Sequence, residues 1–178
     1  MPVDEPSPEQ SELLLKTPLT SQARPMNVFA TLAHHPQLLK RFNALGGIFL
    51  RHGTLPARER ELVILRVAAR TGSEYEYAQH QVIGARAGLS GEEIDAVRGP
   101  LGHWGGDDVE LLAFTDQMID SDGAAAPGWD ALAGRFATDQ MIELVFLIGF
   151  YRMLAGFLVV VGVELEDELR PPEHPAEH

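Results

Sequence analysis

The chain has 178 residues, 45% hydrophobic and 22% charged, an ordinary globular mix of single-domain size that can bury a core. A formal charge of −12 argues against a nucleic-acid or anionic-membrane surface, since either partner calls for a basic patch. With no cysteine there is no disulfide, thiolate nucleophile, iron–sulfur cluster or Cys-based zinc site, and the composition fits a cytoplasmic protein.

Residues 1–24 are rich in Pro, Ser, Glu and Thr and lack a basic segment followed by an apolar one, so a flexible N-terminal arm is expected, with a short helical turn at "SELLLK". From residue 25 to 168 the apolar spacing is helical almost throughout. Pro25 and Pro36 suit first-turn positions of two early helices, the second running through "QLLKRFNALGGIFLRHG". "TLPARERELVILRVAARTG" predicts a helix opened near Pro56 and closed at Gly72, with Arg58, Arg60, Arg66 and Arg70 on its more polar sides. Ser73 starts the next helix and Gly88 stops it, and Ser90 starts a shorter one. Both Ser73–Glu76 and Ser90–Glu93 have the S-x-x-E spacing of a capping box. A helix over about 107–120, a Gly/Ala/Pro loop and a short helix opened by Pro127 come next, then a long helix from Thr138, capped by its own hydroxyl. Residues 169–178 form a Pro-rich tail. No alternating strand pattern and no repeat occurs, and the chain reads as all-α.

The stretch "IELVFLIGFYRMLAGFLVVVG" is long enough for a membrane span, but Arg152 lies at its middle and Glu143 near its start. A charge at a bilayer centre is costly, so a buried core or subunit-interface helix is the better reading. Its Gly149 and Gly156 allow close helix approach.

On the helix after Ser73, residues 73, 76, 77, 80 and 84 share one face, which makes Glu76 and His80 neighbours one turn apart. The tight "RTGS" turn folds the preceding helix back as a hairpin and brings Glu61 towards His80. Such a cluster can fix the imidazole tautomer and place a proton beside a reacting carbon. Each residue also has a plainer use: Glu76 as the third residue of a capping box, His80 as an interfacial histidine, Glu61 as a partner of Arg58 or Arg66. Glu76–His80 also has ligand spacing, but one histidine and two carboxylates make a weak metal set, and no metal is expected.

The segment "LPARERELVILRVAARTGSEYEYAQH…ARAGLSGEEI", with "LAHHPQLLKRF" before it and "IELVFLIGFYRMLAGFL" after it, resembles the carboxymuconolactone decarboxylase family, which includes the AhpD-type alkylhydroperoxidases. The resemblance spans about residues 25–166. The AhpD-like branch carries a Glu, eleven residues, Cys-x-x-Cys, three residues and a His; that count places Glu61 at the glutamate, Ser73 and Glu76 at the two thiols, and His80 at the histidine. Peroxide reduction by that route needs an attacking and a resolving thiol, so a cysteine-less member is not a thiol peroxidase.

The resemblance implies an AhpD-like helical domain and a homo-oligomer, built as a dimer, trimer or hexamer through long apolar helices. It also implies cofactor-independent lyase chemistry on a small unsaturated lactone or related carboxylated metabolite. In that chemistry His80 is the acid/base, Glu61 tunes or relays its proton, Ser73, Glu76 and Tyr77 line the pocket, and Arg58 anchors a carboxylate. A related isomerase or cyclase, or a member that binds a small molecule without turning it over, stays open.

Overall fold

The computed structural model describes residues 2–121 and 128–170. Regular structure among them is helical, with one isolated antiparallel bridge between Leu19 and Pro25. The described residues form two compact units, one of residues 2–42 with 162–170 and one of residues 43–121 with 128–161.

In the first unit, the segment expected as an arm contains a helix, α1 (Pro8–Leu14). Pro8 opens it, the Ser7 hydroxyl accepts from the Gln10 amide, and Gln10 reaches back to the Ser7 amide, a complete capping box. The Gln10 side chain also donates to the Ala33 carbonyl at 2.8 Å and so ties α1 to the end of α2 (Asn27–Leu32). Pro25 lies ahead of α2 rather than in its first turn, with Met26 in the capping position. Pro36 does open α3 (Pro36–Gly47), which tightens into a π-helical turn over Ile48–His52. Asn27 is held by residues from the far end of the chain, its amide donating to Glu166 at 2.8 Å and its side chain to the Glu164 carbonyl at 2.9 Å.

The second unit is organised around α4 (Ala57–Thr71), which packs against α5 (Glu74–Arg86), α7 (Gly106–Asp120) and α9 (Thr138–Val161). Leu62, Val63, Ile64, Leu65, Val67 and Ala68 are all at most 1% exposed, so α4 has no apolar stripe; it is buried on nearly every side. Each such Val, Leu or Ile side chain contributes about 1.5–3 kcal/mol. Gly72 ends α4 at φ 70, a left-handed conformation that glycine adopts without steric cost.

Arg66 departs from the expected polar side of α4 and is buried. Its guanidinium donates to both Asp116 oxygens and to the carbonyls of Val97 and Gly99, which is how the charge is tolerated there. The pairs Arg58–Asp108, Arg66–Asp116 and Arg70–Asp120 keep a constant separation of 50 residues, so α4 and α7 run in the same direction in fixed register.

α6 (Gly91–Ala96) begins with the predicted box, the Glu93 amide donating to the Ser90 hydroxyl at 3.2 Å and the Ser90 amide to the Glu93 carboxylate at 2.7 Å. The expected helix start at Pro127 and the loop before it fall outside the described residues, as do residues 171–178 of the tail; the short α8 spans Trp129–Ala133.

Thr138 sits inside the first turn of α9 rather than capping it, and Gln140 accepts from the Ala137 amide at 2.9 Å instead. By length and composition α9 is apolar enough to cross a membrane. In this fold one face of it, with Met141, Leu144, Leu147, Ile148, Tyr151, Ala155 and Leu158, is core. Glu143 binds the turn before α4, accepting from the Thr54 amide, the Thr54 hydroxyl and the Leu55 amide.

Candidate active site

α4 and α5 form the predicted hairpin, and Gly84 sets how closely they approach. A Cβ there would lie 3.1 Å from Leu89, 3.2 Å from Leu65 and 3.6 Å from the Glu61 Cβ. One turn before Gly84 stands His80, and the close crossing brings its Nδ1 to 2.6 Å from Glu61 Oε2. Arg60 Nε donates to the other oxygen, Glu61 Oε1, at 2.9 Å. Glu61 is fully buried and His80 6% exposed.

Burial alone would push the Glu61 carboxyl up, but the hydrogen bond and charge of His80 and those of Arg60 outweigh it and hold the acid below its usual range. Glu61 is therefore a carboxylate, an acceptor only, and His80 Nδ1 must carry the proton between them. A neutral His80 then has its lone pair on Nε2, ready to accept a proton. Tyr151 of α9 meets the imidazole edge-on, with ring centroids 5.1 Å apart at 89°. Burial first, then the charge of Glu61, raises the Tyr151 phenol well above its usual range and keeps it neutral.

Ser73 and Glu76 face this cluster differently from a capping pair. Ser73 adopts φ −84 and ψ 88, its hydroxyl receives no amide from the first turn of α5, and the box expected there does not form. The Ser73 hydroxyl and both Glu76 oxygens are buried without a hydrogen-bond partner. Burial pushes the Glu76 carboxyl well above its usual range. The helix N-terminus favours an anion by only about 0.3–1 kcal/mol, whereas an unpaired buried charge costs several kcal/mol, so desolvation wins and Glu76 is a neutral acid. Even neutral, an unpartnered buried polar group costs about 1–3 kcal/mol.

The remaining expected residues lie elsewhere in the bonding scheme. The Arg58 guanidinium donates to both Asp108 oxygens, at 2.9 and 2.8 Å, and to Glu93. Paired with two carboxylates, it is not a free anchor for a substrate. The Tyr77 hydroxyl donates to the Ile94 carbonyl at 2.6 Å and its ring lies under Arg98, which gives it the task of joining α5 to α6. Arg60 and Tyr151, by contrast, belong to the site without having been assigned to it. Adjacent residues of a helix do not share a face, so helical spacing gives no hint that Arg60 reaches Glu61; only its long side chain brings them together. Tyr151 comes from another helix altogether.

Among the described residues, no group of three or more His, Asp or Glu side chains is gathered as a metal site. A surface hollow of about 380 Å³ in the first unit, lined by Arg24, Asn27, Glu164, Glu166 and Arg170 among others, shares no residue with the buried cluster. Its Arg170 is paired with Glu164 and Glu168 accepts from Ser21, so its charges are partly satisfied from within.

Residues 36–115 match the model of the carboxymuconolactone decarboxylase family. Among solved structures, a peroxidase-related protein from Silicibacter sp. TM1040 superposes with a TM-score of 0.78 at 15% identity, over 94% of this chain and 90% of that one. A protein from Ralstonia eutropha JMP134, described as an alkylhydroperoxidase AhpD core and peroxidase-related, gives 0.76 at 22% identity, over 95% and 93%. A third, from Agrobacterium tumefaciens, gives 0.63 at 20% identity, over 83% and 97%. At such identities the likeness is one of fold. No curated protein matches the sequence. The matched segment contains Glu61, Ser73, Glu76 and His80, so all four cluster residues fall where this chain is similar to the carboxymuconolactone decarboxylase family, within a helical fold shared with the AhpD-like structures.

Proposed function

We propose that the protein is a cofactor-independent lyase of this family, acting on a small unsaturated lactone or related carboxylated metabolite by proton transfer through His80 and Glu61. The observation that carries the reading is the 2.6 Å contact between His80 Nδ1 and a fully buried, ionised Glu61. In a decarboxylation, the bond to the carboxylate carbon breaks, CO2 leaves, and the electron pair delocalises into the conjugated carbonyl as a dienolate. Protonated His80 then gives its proton to carbon, Glu61 stabilises the imidazolium, and a proton from water restores it. The substrate holds the electrons itself. The cluster is almost wholly buried, and Tyr151 packs edge-on against His80.

The same pair suits an isomerase that moves a proton between two carbons of a conjugated carbonyl compound, and one observation favours it. The cation expected to anchor a carboxylate, Arg58, is occupied by Asp108 and Glu93. The test is a paired assay of the native protein and His80→Ala on 4-carboxymuconolactone, unsaturated lactones and β-keto acids, following CO2 release and substrate absorbance. Turnover that falls by about 10²–10⁴-fold in the variant, with circular dichroism unchanged, is the expected result. Undiminished turnover in the variant overturns the mechanism.

Assembly is part of the proposal. The outer face of α9 presents Ile142, Phe146, Gly149, Met153, Gly156 and Val160, all exposed, at the alternating four- and three-residue spacing of a helix-pairing seam. None of these six residues is charged, although the exposed Arg152 flanks them between Gly149 and Gly156, and the six form the surface on which two copies of the chain can meet. Light scattering should give at least a dimer for the native chain and a smaller mass for Phe146→Lys; a native monomer overturns this.

A further inference from the structure

Proton transfer between Glu61 and His80 leaves two polar groups of the cluster without a task. Ser73 and Glu76 are one helical turn apart on the face of α5 that also carries His80, and both are almost wholly buried. Among the described residues, neither the hydroxyl nor either carboxyl oxygen meets a hydrogen-bond partner. The first turn of α5 beside them has no side-chain cap. On the same face of α5 one turn on stands His80, which is bound to Glu61 of α4, itself held by Arg60, and Tyr151 of α9 lies within electrostatic reach of both Glu61 and Glu76. The only carboxylate among them is already held by Arg60 and His80, so Glu76 has no charge partner of its own.

We propose that Ser73 and Glu76 form a donor pair that seats a carbonyl oxygen of the substrate, with Glu76 acting as a neutral carboxylic acid. The proposal rests on the proton-transfer reading and adds its substrate class: a lactone or ketone whose uncharged carbonyl lies over the first turn of α5. A carboxylate in the same seat would carry its charge into the same burial that raises the Glu76 carboxyl. When His80 Nε2 removes a proton from the carbon next to that carbonyl, the C–H pair becomes a C=C bond and the C=O π pair moves onto oxygen. The Ser73 hydroxyl and the Glu76 carboxyl donate to that oxygen as its charge grows. His80 then returns the proton to the same or the conjugated carbon, and nothing is oxidised or reduced. In a decarboxylation the C–C pair takes the place of the C–H pair, and the same oxygen receives the charge.

The test uses an α,β-unsaturated γ-lactone with an isotope-labelled carbonyl as the probe, on the full chain and its Glu76→Gln, Glu76→Leu, Ser73→Ala and His80→Ala variants. Binding is read by calorimetry and the carbonyl band by infrared difference spectroscopy. The expected result is a band lowered on binding to the native protein, a shift largely lost in Glu76→Leu and Ser73→Ala with about tenfold weaker binding in each, and rescue by Glu76→Gln, whose amide also donates. A shift of equal size in all variants, or no binding of the lactone to the native protein, overturns the donor pair. A full shift in His80→Ala, with no turnover by the native protein, leaves the seat standing and removes the catalytic reading. Turnover indifferent to Ser73 and Glu76 does the reverse.

Discussion

The chain writes S-x-x-E twice, at Ser73–Glu76 and at Ser90–Glu93, and the fold uses the two copies in opposite ways. At the start of α6 the box closes, and Glu93 also binds Arg58. At the start of α5 the box stays open, and Ser73 and Glu76 are buried without partners beside the Glu61–His80 pair. A half-exposed helix start can spend its polar side chains on its own amides. A helix start packed into the core by α4 and α9 has its side chains directed by that packing, and it bears a cost of unpaired polar groups that a closed cap does not.

The largest effect that sharpens the contrast is catalytic. Glu61→Gln keeps the shape of the acid but removes the charge that orders His80, and turnover should fall by about 10²-fold or more. Glu93→Gln, in the closed box, should leave turnover unchanged in the same assay. An equal loss from both would dissolve the distinction between the two sites.

Next in size is stability against pH, where the two glutamates carry opposite signs. Glu76 has its folded pKa raised by burial, so below the usual 4.5 it is protonated in both states and contributes nothing. Above 4.5 the unfolded chain ionises first, and stability falls by up to about 1.4 kcal/mol per pH unit until the folded value is reached. Glu93 is lowered, chiefly by the Ser90 amide and with help from Arg58. Its contribution is present above 4.5 and is lost as the pH falls through the folded value. Urea unfolding across pH should therefore show Glu76→Gln gaining on the native protein as pH rises, and Glu93→Gln losing most at neutral pH and least in acid. A Glu76→Gln curve parallel to the native one would mean that Glu76 is ionised or paired.

The smallest effect concerns the serines. Ser90→Ala removes a working cap and should cost about 1 kcal/mol in denaturant unfolding. Ser73→Ala removes a hydroxyl that bonds to nothing, and should leave stability unchanged or raise it. Equal costs would restore Ser73 as a cap.

Much of the architecture was legible in local pattern because local physics sets it. Gly72 and Gly88 end helices where a left-handed residue is required, at φ 70 and 102. Pro36 and Ser90 open helices, and the i, i+4 spacing of Glu76 and His80 puts them on one face whatever surrounds them. Helical spacing and the tight turn at Gly72 also give the direction in which Glu61 approaches His80. What remained hidden depends on neighbours distant in sequence. Arg58 offered itself as an anchor until α7 brought Asp108 to it and α6 brought Glu93. Tyr77 matched the pocket face, yet its hydroxyl reaches Ile94. Arg66 reads as a surface cation and is buried because Asp116 and two carbonyls satisfy it.

The sequence by itself determined an all-α chain, many of its helix ends and the approach of Glu61 towards His80, since these follow from backbone preferences and from one hairpin. Only the tertiary structure decided that Arg60 and Tyr151 complete the cluster, that Arg58 does not, and that Glu76 is a neutral acid. Burial and charge pairing depend on which helices close around a side chain, and no spacing within one helix contains that information.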